Sequence, residues 1–534
     1  MEPICEPCAE PGDAAFFFSR GPGTFKVPGR VPGDARVKLV AALGKASGAV
    51  LLRGGTEKMR DDTDHEELFR QESYFAHLFA VREPGCWGLI ELPSGRTTLF
   101  IPKLEPEYAI WMGKIETPDS FRRRYGVDAC CFVEELKNAV AAISGPIYVL
   151  SGTNTDSGLN LAEELPTDEA LPDGVSLDTS TLYNIAAECR VHKSADEVEV
   201  MRYVAWVSSC AHASVMRDTK PGMFEYQLEA LFLFHCAFHG GCRLSAYTQI
   251  CACGPDAAVL HYGHAGAPND RQLLPTDIAL LDMGAEYQFY ASDITCSFPV
   301  SGEFSLEQKQ VYTAVLEAQR RVMGAMRPGT SWVEMHELAH RAILEHLASA
   351  GLLLGDVSEM MAANLGQTFM PHGLGHLIGV DTHDVGGYLP HTPARPSALG
   401  ASKLRTARIL DVGMVLTVEP GCYFIDMLLD TALADPTRSR FLVPAAIERM
   451  RGFGGVRLED VVVVTATGID NLTLCPRTLP EVEAVMRGGE WPPATDAAPW
   501  LHRRWHTLDK ASGAMVVDRR VRVDEAKLVI DADF

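Results

Sequence analysis

Four carboxylates stand where apolar strands would ordinarily carry core side chains. The segment 277–298, DIALLDMGAEYQFYASDITCSF, contains two apolar strands around a turn near Tyr287 and Gln288, with Asp282 and Asp293 placed symmetrically about that turn. In a hairpin of that register the two acids face each other across adjacent strands. Two buried like charges side by side are costly unless a cation lies between them. Further along, VLTVEPG and VRLEDVVVV are β-branched strands that each carry one buried-looking glutamate, Glu419 and Glu459. Between the two groups lies MPHGLGHLIG, where His372 and His376 sit among glycines that leave room for a bound ion.

Four carboxylates and one imidazole make a mostly hard ligand set, suited to manganese, able to accept cobalt or zinc, and too acidic for a single structural zinc. Four negative charges match two divalent ions. A pair of ions roughly 3.5–4 Å apart holds a bridging hydroxide at neutral pH and polarises a carbonyl, which is the chemistry of amide hydrolysis.

A competing signal is His336-Glu337-Leu338-Ala339-His340, an HExxH string on a predicted helix. In a zincin both histidines bind zinc and the glutamate is the base. Helical periodicity offers a plainer account, in which the i,i+4 histidines lie on a solvated stripe beside an apolar face formed by Met335, Leu338 and Ile343. With 17 histidines in 534 residues a chance match is expected in roughly a few per cent of such chains, so the string is suggestive but not decisive, and the plainer account is preferred.

The elements that must position these groups fall into two domains and a tail. Residues 1–187 mix short apolar strands such as GAVLLRGG and TTLFIPKL with helical stretches, the pattern of an α/β domain. Residues 188–485 open with a capping box at Ser194 and Glu197, then repeat a helix, helix, strand pattern. The second half starts at Ser305 with Gln308, and its next helix at Ser331 with Glu334, so an internal pseudo-twofold with a site between the halves is expected. Residues 486–534 change character again, to WPPATDAAPWLHRRWHTLDK and a short strand-like AKLVIDAD, and read as an appendage. The whole is an α+β chain.

Composition narrows the partners. With 48 basic and 70 acidic residues the formal charge of −22 repels nucleic acid and anionic membranes, which leaves a small molecule as the expected ligand. The acidic, proline-containing start has no basic region ahead of an apolar stretch, and no apolar run is long enough to cross a bilayer, so a cytoplasmic protein is expected. Fourteen scattered cysteines suit reduced thiols, and Cys5 and Cys8 form an isolated CxxC without a second pair at zinc-finger spacing.

Asp282, Asp293, His376, Glu419 and Glu459 occur in the order and contexts of the pita-bread metallopeptidases. The chain most closely resembles their Xaa-Pro dipeptidase (prolidase) branch, through FRQESYFAHLFAVREPGCWG, NTDSG, LHYGHAGAPNDR, MPHGLGHLIGVDTHDVGGY, LRTAR and RGFGGVRLED, over nearly all of residues 50–485. The resemblance implies a pita-bread catalytic domain behind a creatinase-like amino-terminal domain. It implies two divalent metals per subunit with a preference for Mn2+, hydrolysis of Xaa-Pro and Xaa-hydroxyproline dipeptides such as arise in collagen peptide catabolism, and a homodimer. By the same resemblance, Asp282 binds one metal, Asp293 and Glu459 bridge both, and His376 and Glu419 complete the other shell. His261, His372 and His383 become the histidines that face substrate and assist the leaving proline nitrogen, and Arg405 pairs with the proline carboxylate, with Arg408 as its confounder. Trp111 is implied as a wall that one subunit lends to the other's site.

The chain departs from the family after Glu459, where Asp460 is followed by Val461, and in the loop LPHTPARPSALGAS after Tyr388. Two alternatives remain: an Xaa-Pro aminopeptidase acting on longer peptides, and a non-catalytic pita-bread binding protein.

Overall fold

A computed structural model describes residues 17–161, 171–172, 174–398 and 400–523. The Cys5 and Cys8 pair and the whole of the strand-like AKLVIDAD lie outside the described residues. The chain divides into two compact units, one running to Val191 and the other starting at His192. Among the described residues no helix is long and apolar enough to cross a membrane.

The first unit is built on a six-stranded sheet of β1 (Gly48–Arg53), β2 (Trp87–Leu92), β3 (Thr97–Ile101), β4 (Ala129–Phe132), β5 (Ile147–Tyr148) and β6 (Leu177–Asp178), in the order β4-β3-β2-β1-β5-β6. β1 is the centre. Its run Ala49-Val50-Leu51-Leu52 is buried on both faces, as a continuous apolar run requires. It pairs antiparallel with β2 and parallel with β5.

In the second unit, α1 (Ala195–Asp218) starts at the expected capping box, with Ser194 accepting from the Glu197 amide and Glu197 accepting from the Ser194 amide at 2.8 Å. α2 (Glu225–Gly240) packs on α1 and ends at Gly241, whose φ of 64° is the left-handed cap that glycine adopts most readily. Then come β7 (Ile250–Cys253), β8 (Ile278–Asp282) and β9 (Thr295–Pro299), an antiparallel sheet in the order β7-β8-β9.

The second half repeats the plan. α3 (Leu306–Ala325) is capped by the Ser305 and Gln308 box and packs against α4 (Trp332–Ser349). Val311, Ala314, Val315, Ala318 and Val322 of α3 form a buried stripe at helical spacing against Ala339, Ala342, Ile343 and Leu347 of α4. Each large side chain in that seam contributes about 1.5–3 kcal/mol of burial. Ser331 does occupy the N-cap of α4, but its side chain makes no capping bond, so the box expected with Glu334 does not form.

After the helices come β10 (Val415–Val418), β11 (Gly421–Tyr423), β12 (Gly455–Arg457), β13 (Asp460–Val464) and β14 (Ile469–Asn471). β10, β13 and β14 make a second three-stranded antiparallel sheet, and β11 pairs with β12. The described residues of the tail are packed: Trp505 and Val521 form a buried cluster with Leu474, against which Trp206 and Trp491 lie.

Candidate metal centre

Asp282 ends β8, where it pairs with Thr295 at the start of β9. The intervening hairpin pairs Glu286 with Ala291 and Tyr287 with Tyr290. Its turn residues are Gln288 and Phe289, both with positive φ, 47° and 74°. Two left-handed residues match the right-handed twist of the flanking strands, and they set the turn one residue later than the sequence pattern suggested. The expected direct pairing of Asp282 with Asp293 is therefore replaced by a diagonal one. Side chains two residues apart on a strand share a face, so the carboxylates still meet.

Glu419 and Glu459 likewise sit at strand ends, directly after β10 and in the joint between β12 and β13. His376 lies in a loop laid along β10: its amide donates to Thr417 Oγ1 at 3.1 Å, and its carbonyl accepts from the Thr417 amide at 2.9 Å. A Cβ on Gly375 would stand 2.1 Å from the Thr417 carbonyl oxygen, so only glycine permits this approach.

The imidazole Nε2 of His376 is 3.4 Å from Asp293 Oδ2 and 3.6 Å from Glu419 Oε1. One ligand atom each from Asp293, His376 and Glu459 lie within 4.8 Å of one another, and all three residues are buried. Asp282 is held from outside, accepting from Tyr247 Oη at 2.5 Å and Arg457 Nη2 at 2.6 Å. Thr295 Oγ1 donates to Glu459 Oε2 at 2.7 Å.

These acids fit divalent cations on electrostatic grounds. Burial and the charge of Asp282 raise the Asp293 carboxyl above its ordinary value. Burial, with Asp293 and Asp282 adding to it, pushes Glu419 up to about 7, and Glu459 is driven well above the carboxylate range by burial, Asp293 and Glu419. Carboxylates that resist ionising together are what a positive ion relieves. The donors are oxygen with a single nitrogen, the set preferred by hard to borderline ions.

The five residues line one cavity of about 610 Å³, together with His261, His372, His383 and Arg405. His383 stands edge-on to His376 with ring centroids 4.5 Å apart. Burial, His376 and Arg405 push it down to about 2, and burial with Arg457 and Arg405 lowers His261, which favours the neutral form of both rings. His372 has both ring nitrogens engaged by the protein, at 2.8 Å from the Gly373 carbonyl and 3.0 Å from Tyr423 Oη. Arg408 is not on the cavity wall; its Nε donates to the Gly386 carbonyl at 2.7 Å. Trp111 lies in the first unit, on the short helix Tyr108–Met112, and is 83% exposed.

Several groups escaped the sequence reading. Arg457, Tyr247 and Tyr423 all bear on Asp282 or its neighbours, with Arg457 Nη1 donating to Tyr423 Oη at 2.8 Å. Arg457 carried a usable signal, since it lies two residues before Glu459 and strand alternation puts both on one side. Tyr247 carried none.

The HExxH string is not a solvated stripe. His336 and His340 are buried, His340 Nε2 lies 3.1 Å from the Met370 carbonyl, and Glu337 is the exposed member. The helix turns the histidines into its packing against 366–370. Among the described residues, the cluster with metal-holding geometry is Asp293, His376 and Glu459.

Fold and site together define a metal-dependent hydrolase. The profile of Metallopeptidase family M24 matches residues 199–466, and that of the aminopeptidase P N-terminal domain matches residues 34–147. The chain belongs to metallopeptidase family M24, with the pita-bread catalytic fold behind an aminopeptidase P-type amino-terminal domain. It is 50% identical over 480 residues to the Xaa-Pro dipeptidase of Homo sapiens, covering 88% of this chain and 96% of that one. A probable Xaa-Pro aminopeptidase of Verticillium alfalfae is 35% identical over 82% of this chain and 92% of its own length. Among solved structures, E. coli aminopeptidase P with the inhibitor Pro-Leu superposes with a TM-score of 0.71 at 30% identity, covering 86% of this chain and 99% of that one.

Proposed function

We propose that this chain is a metal-dependent Xaa-Pro dipeptidase, which also cleaves Xaa-hydroxyproline, and that it holds two divalent ions, Mn2+ by preference, among Asp282, Asp293, His376, Glu419 and Glu459. The observation that carries the reading is the joining of this acidic cluster and the Arg405 guanidinium in one cavity of about 610 Å³. Such a space suits a small molecule that brings an amide to one end and an anionic group to the other. When bound, the ions supply an activated water and a polarised carbonyl.

The protein's own residues do the rest. Asp293 and Glu459 would be ligands common to both ions, Asp282 would serve one of them, and His376 with Glu419 would complete the other. Arg457 and Tyr247 fix the Asp282 carboxylate by hydrogen bonds of 2.6 and 2.5 Å, so that it meets the ion in one orientation. The neutral rings of His261 and His383 offer hydrogen bonds to the substrate carbonyl and to the departing proline nitrogen. His372 acts on the same wall through its contact with Tyr423. Arg405 takes the free carboxylate of the proline in a forked, charge-assisted pair.

The domain assignment proposed with this function is an amino-terminal domain at 1–187, a catalytic domain at 188–485 and a carboxy-terminal extension at 486–534. The setting is cytoplasmic turnover of proline-containing peptides, including those from collagen. The chain works as a homodimer to which Trp111 contributes a wall of the neighbouring subunit's site; full activity of a monomer in sedimentation at micromolar concentration overturns that part. The central test is metal content and Gly-Pro hydrolysis measured on one preparation. Chelation is expected to abolish proline release and Mn2+ to restore it, and turnover indifferent to chelation overturns the reading.

A further inference from the structure

Resting on the assignment of Glu459 as a metal ligand, we propose that the carboxy-terminal extension is a brace for the metal centre, with Arg503 as a positioning residue that holds Glu459 through Glu481 and Arg477. The family profile ends at residue 466, so the extension lies beyond the part of the chain that defines the family.

Arg503 is the anchor. Its side chain is 0% exposed, an expensive place for a guanidinium unless its donors find partners; Nη1 and Nη2 both find them, and Nε does not. Nη2 donates to Glu481 Oε1 at 2.8 Å and to Asp496, and Nη1 donates to the Cys475 carbonyl at 3.2 Å. The guanidinium lies 4.9 Å from the Trp505 ring centroid and 5.7 Å from that of Trp491. Both indoles are themselves tied, Trp505 Nε1 to Asp496 Oδ2 and Trp491 Nε1 to the Leu474 carbonyl, each at 2.7 Å.

From this anchor the connections run inward. The other oxygen of Glu481 accepts from the amides of Arg477 and Thr478, each at 3.0 Å, so fixing the glutamate fixes the backbone that carries Arg477. Arg477 is also sealed from solvent, and its donors are directed at the surroundings of Glu459. Nη2 reaches the Glu459 carbonyl at 2.6 Å, Nε reaches Asp460 Oδ1 at 2.8 Å, and Nη1 reaches the Thr295 carbonyl at 2.9 Å. Thr295 is the residue whose hydroxyl donates to the Glu459 carboxylate. A second connection passes through Asn471, whose Nδ2 donates to the Leu501 carbonyl at 2.9 Å and to Asp460 Oδ2 at 2.7 Å.

A solvated appendage would expose its polar groups. This one places a fully buried cation in a network that ends on the main chain of Glu459 and of the residue bonded to its carboxylate. Buried networks of this kind are stiff when complete and lose strength together when one member is removed. A ligand that must reach two ions tolerates little displacement, so the outer partners are expected to appear in the metal affinity.

The test is Mn2+ affinity of the full-length chain by chelator competition, well below its unfolding temperature. Arg503→Met is expected to weaken binding about tenfold, the lower end of the range for outer-shell partners, and Arg503→Lys, which keeps a cation for Glu481, about threefold. Leu347→Ala in the α3–α4 seam lowers stability at a residue outside the hydrogen-bond network that runs from Arg503 to Glu459 and is expected to keep native affinity. Affinity of Arg503→Met within twofold of native overturns the brace, as does an equal loss in Leu347→Ala. If Arg503→Met does not fold, Arg503→Lys decides, and native affinity in that variant overturns the brace. A native chain that neither holds metal nor cleaves Gly-Pro fails the dipeptidase reading instead.

Discussion

Lys193 Nζ donates to Asp384 Oδ2 at 2.8 Å with both side chains shut off from solvent, at 2% and 1% exposure. The pair ties the residue that precedes α1 to the loop that presents His383, and it leaves no slack: a Cβ on Gly379 would stand 2.3 Å from Asp384 Oδ2 and 2.8 Å from Lys193 Cε. Removing one partner takes the counter-charge away from a buried ion, at a cost of about 3–5 kcal/mol. Lys193→Met is therefore expected to lose about that much stability in urea denaturation, and Lys193→Met combined with Asp384→Leu to lose much less. A single variant as stable as native would show the pair to be dispensable.

The metal assignment separates cleanly from the HExxH alternative. Asp282→Ala and Asp293→Ala each take an anionic ligand from a site that needs its full negative charge to hold two ions, so both are expected to lose bound metal and Gly-Pro turnover. Glu337 is on the exposed side of α4, away from the cavity. Glu337→Gln is expected to keep native metal content and rate. Elemental analysis and turnover on the three variants check this, and loss of activity confined to Glu337→Gln would relocate the site to α4.

Local signals explain what was legible before the structure. The capping boxes at Ser194 and Ser305 involve residues three apart, so the sequence carries both partners. Four of the five ligand candidates were visible because carboxylates on apolar strands are anomalous wherever they fall, and His376 stood out by its glycine-rich setting. Their pairing was less so. Register depends on which two residues adopt left-handed φ, and Gln288-Phe289 lacks the Asn-Gly signature that marks such turns. Long-range partners were out of reach: Tyr247 meets Asp282 only after β8 is folded, and the extension's anchor joins Arg503 to Glu481 and Asp496 across a fold no periodicity announces.

That anchor has a pH signature. Glu481 and Asp496 are held below their ordinary values because the charge and hydrogen bonds of Arg503 outweigh burial, which alone would raise them. A depressed carboxylate contributes stability that is present above its unfolded value of about 4 and is lost as pH falls through its folded value. Docking of the extension is expected to weaken on acidification below about pH 4, read by the fluorescence of Trp491 and Trp505. Arg503→Met removes the largest cause of the depression, so its acid transition is expected to be shallower. An identical acid profile in native and variant chains would remove Arg503 as the source.

Length selection by Arg405 is the sharpest test of the substrate. A dipeptide ending in proline carries a carboxylate within a few bonds of the scissile amide, and Arg405 lies on the wall of the same cavity as the acidic cluster. If its guanidinium pairs with that carboxylate, truncation to Ala leaves a desolvated charge without a partner, at about 2–4 kcal/mol of transition-state binding. That corresponds to a loss of roughly 20- to 1,000-fold in kcat/KM for Gly-Pro. Gly-Pro amide has no such charge, so its turnover is expected to change little. The measurement is kcat/KM for both compounds in native and Arg405→Ala chains. Equal losses on acid and amide would make Arg405 structural, whereas efficient native cleavage of the amide or of tripeptides would mean that the cavity accepts chain beyond the proline and that the aminopeptidase alternative is the better reading.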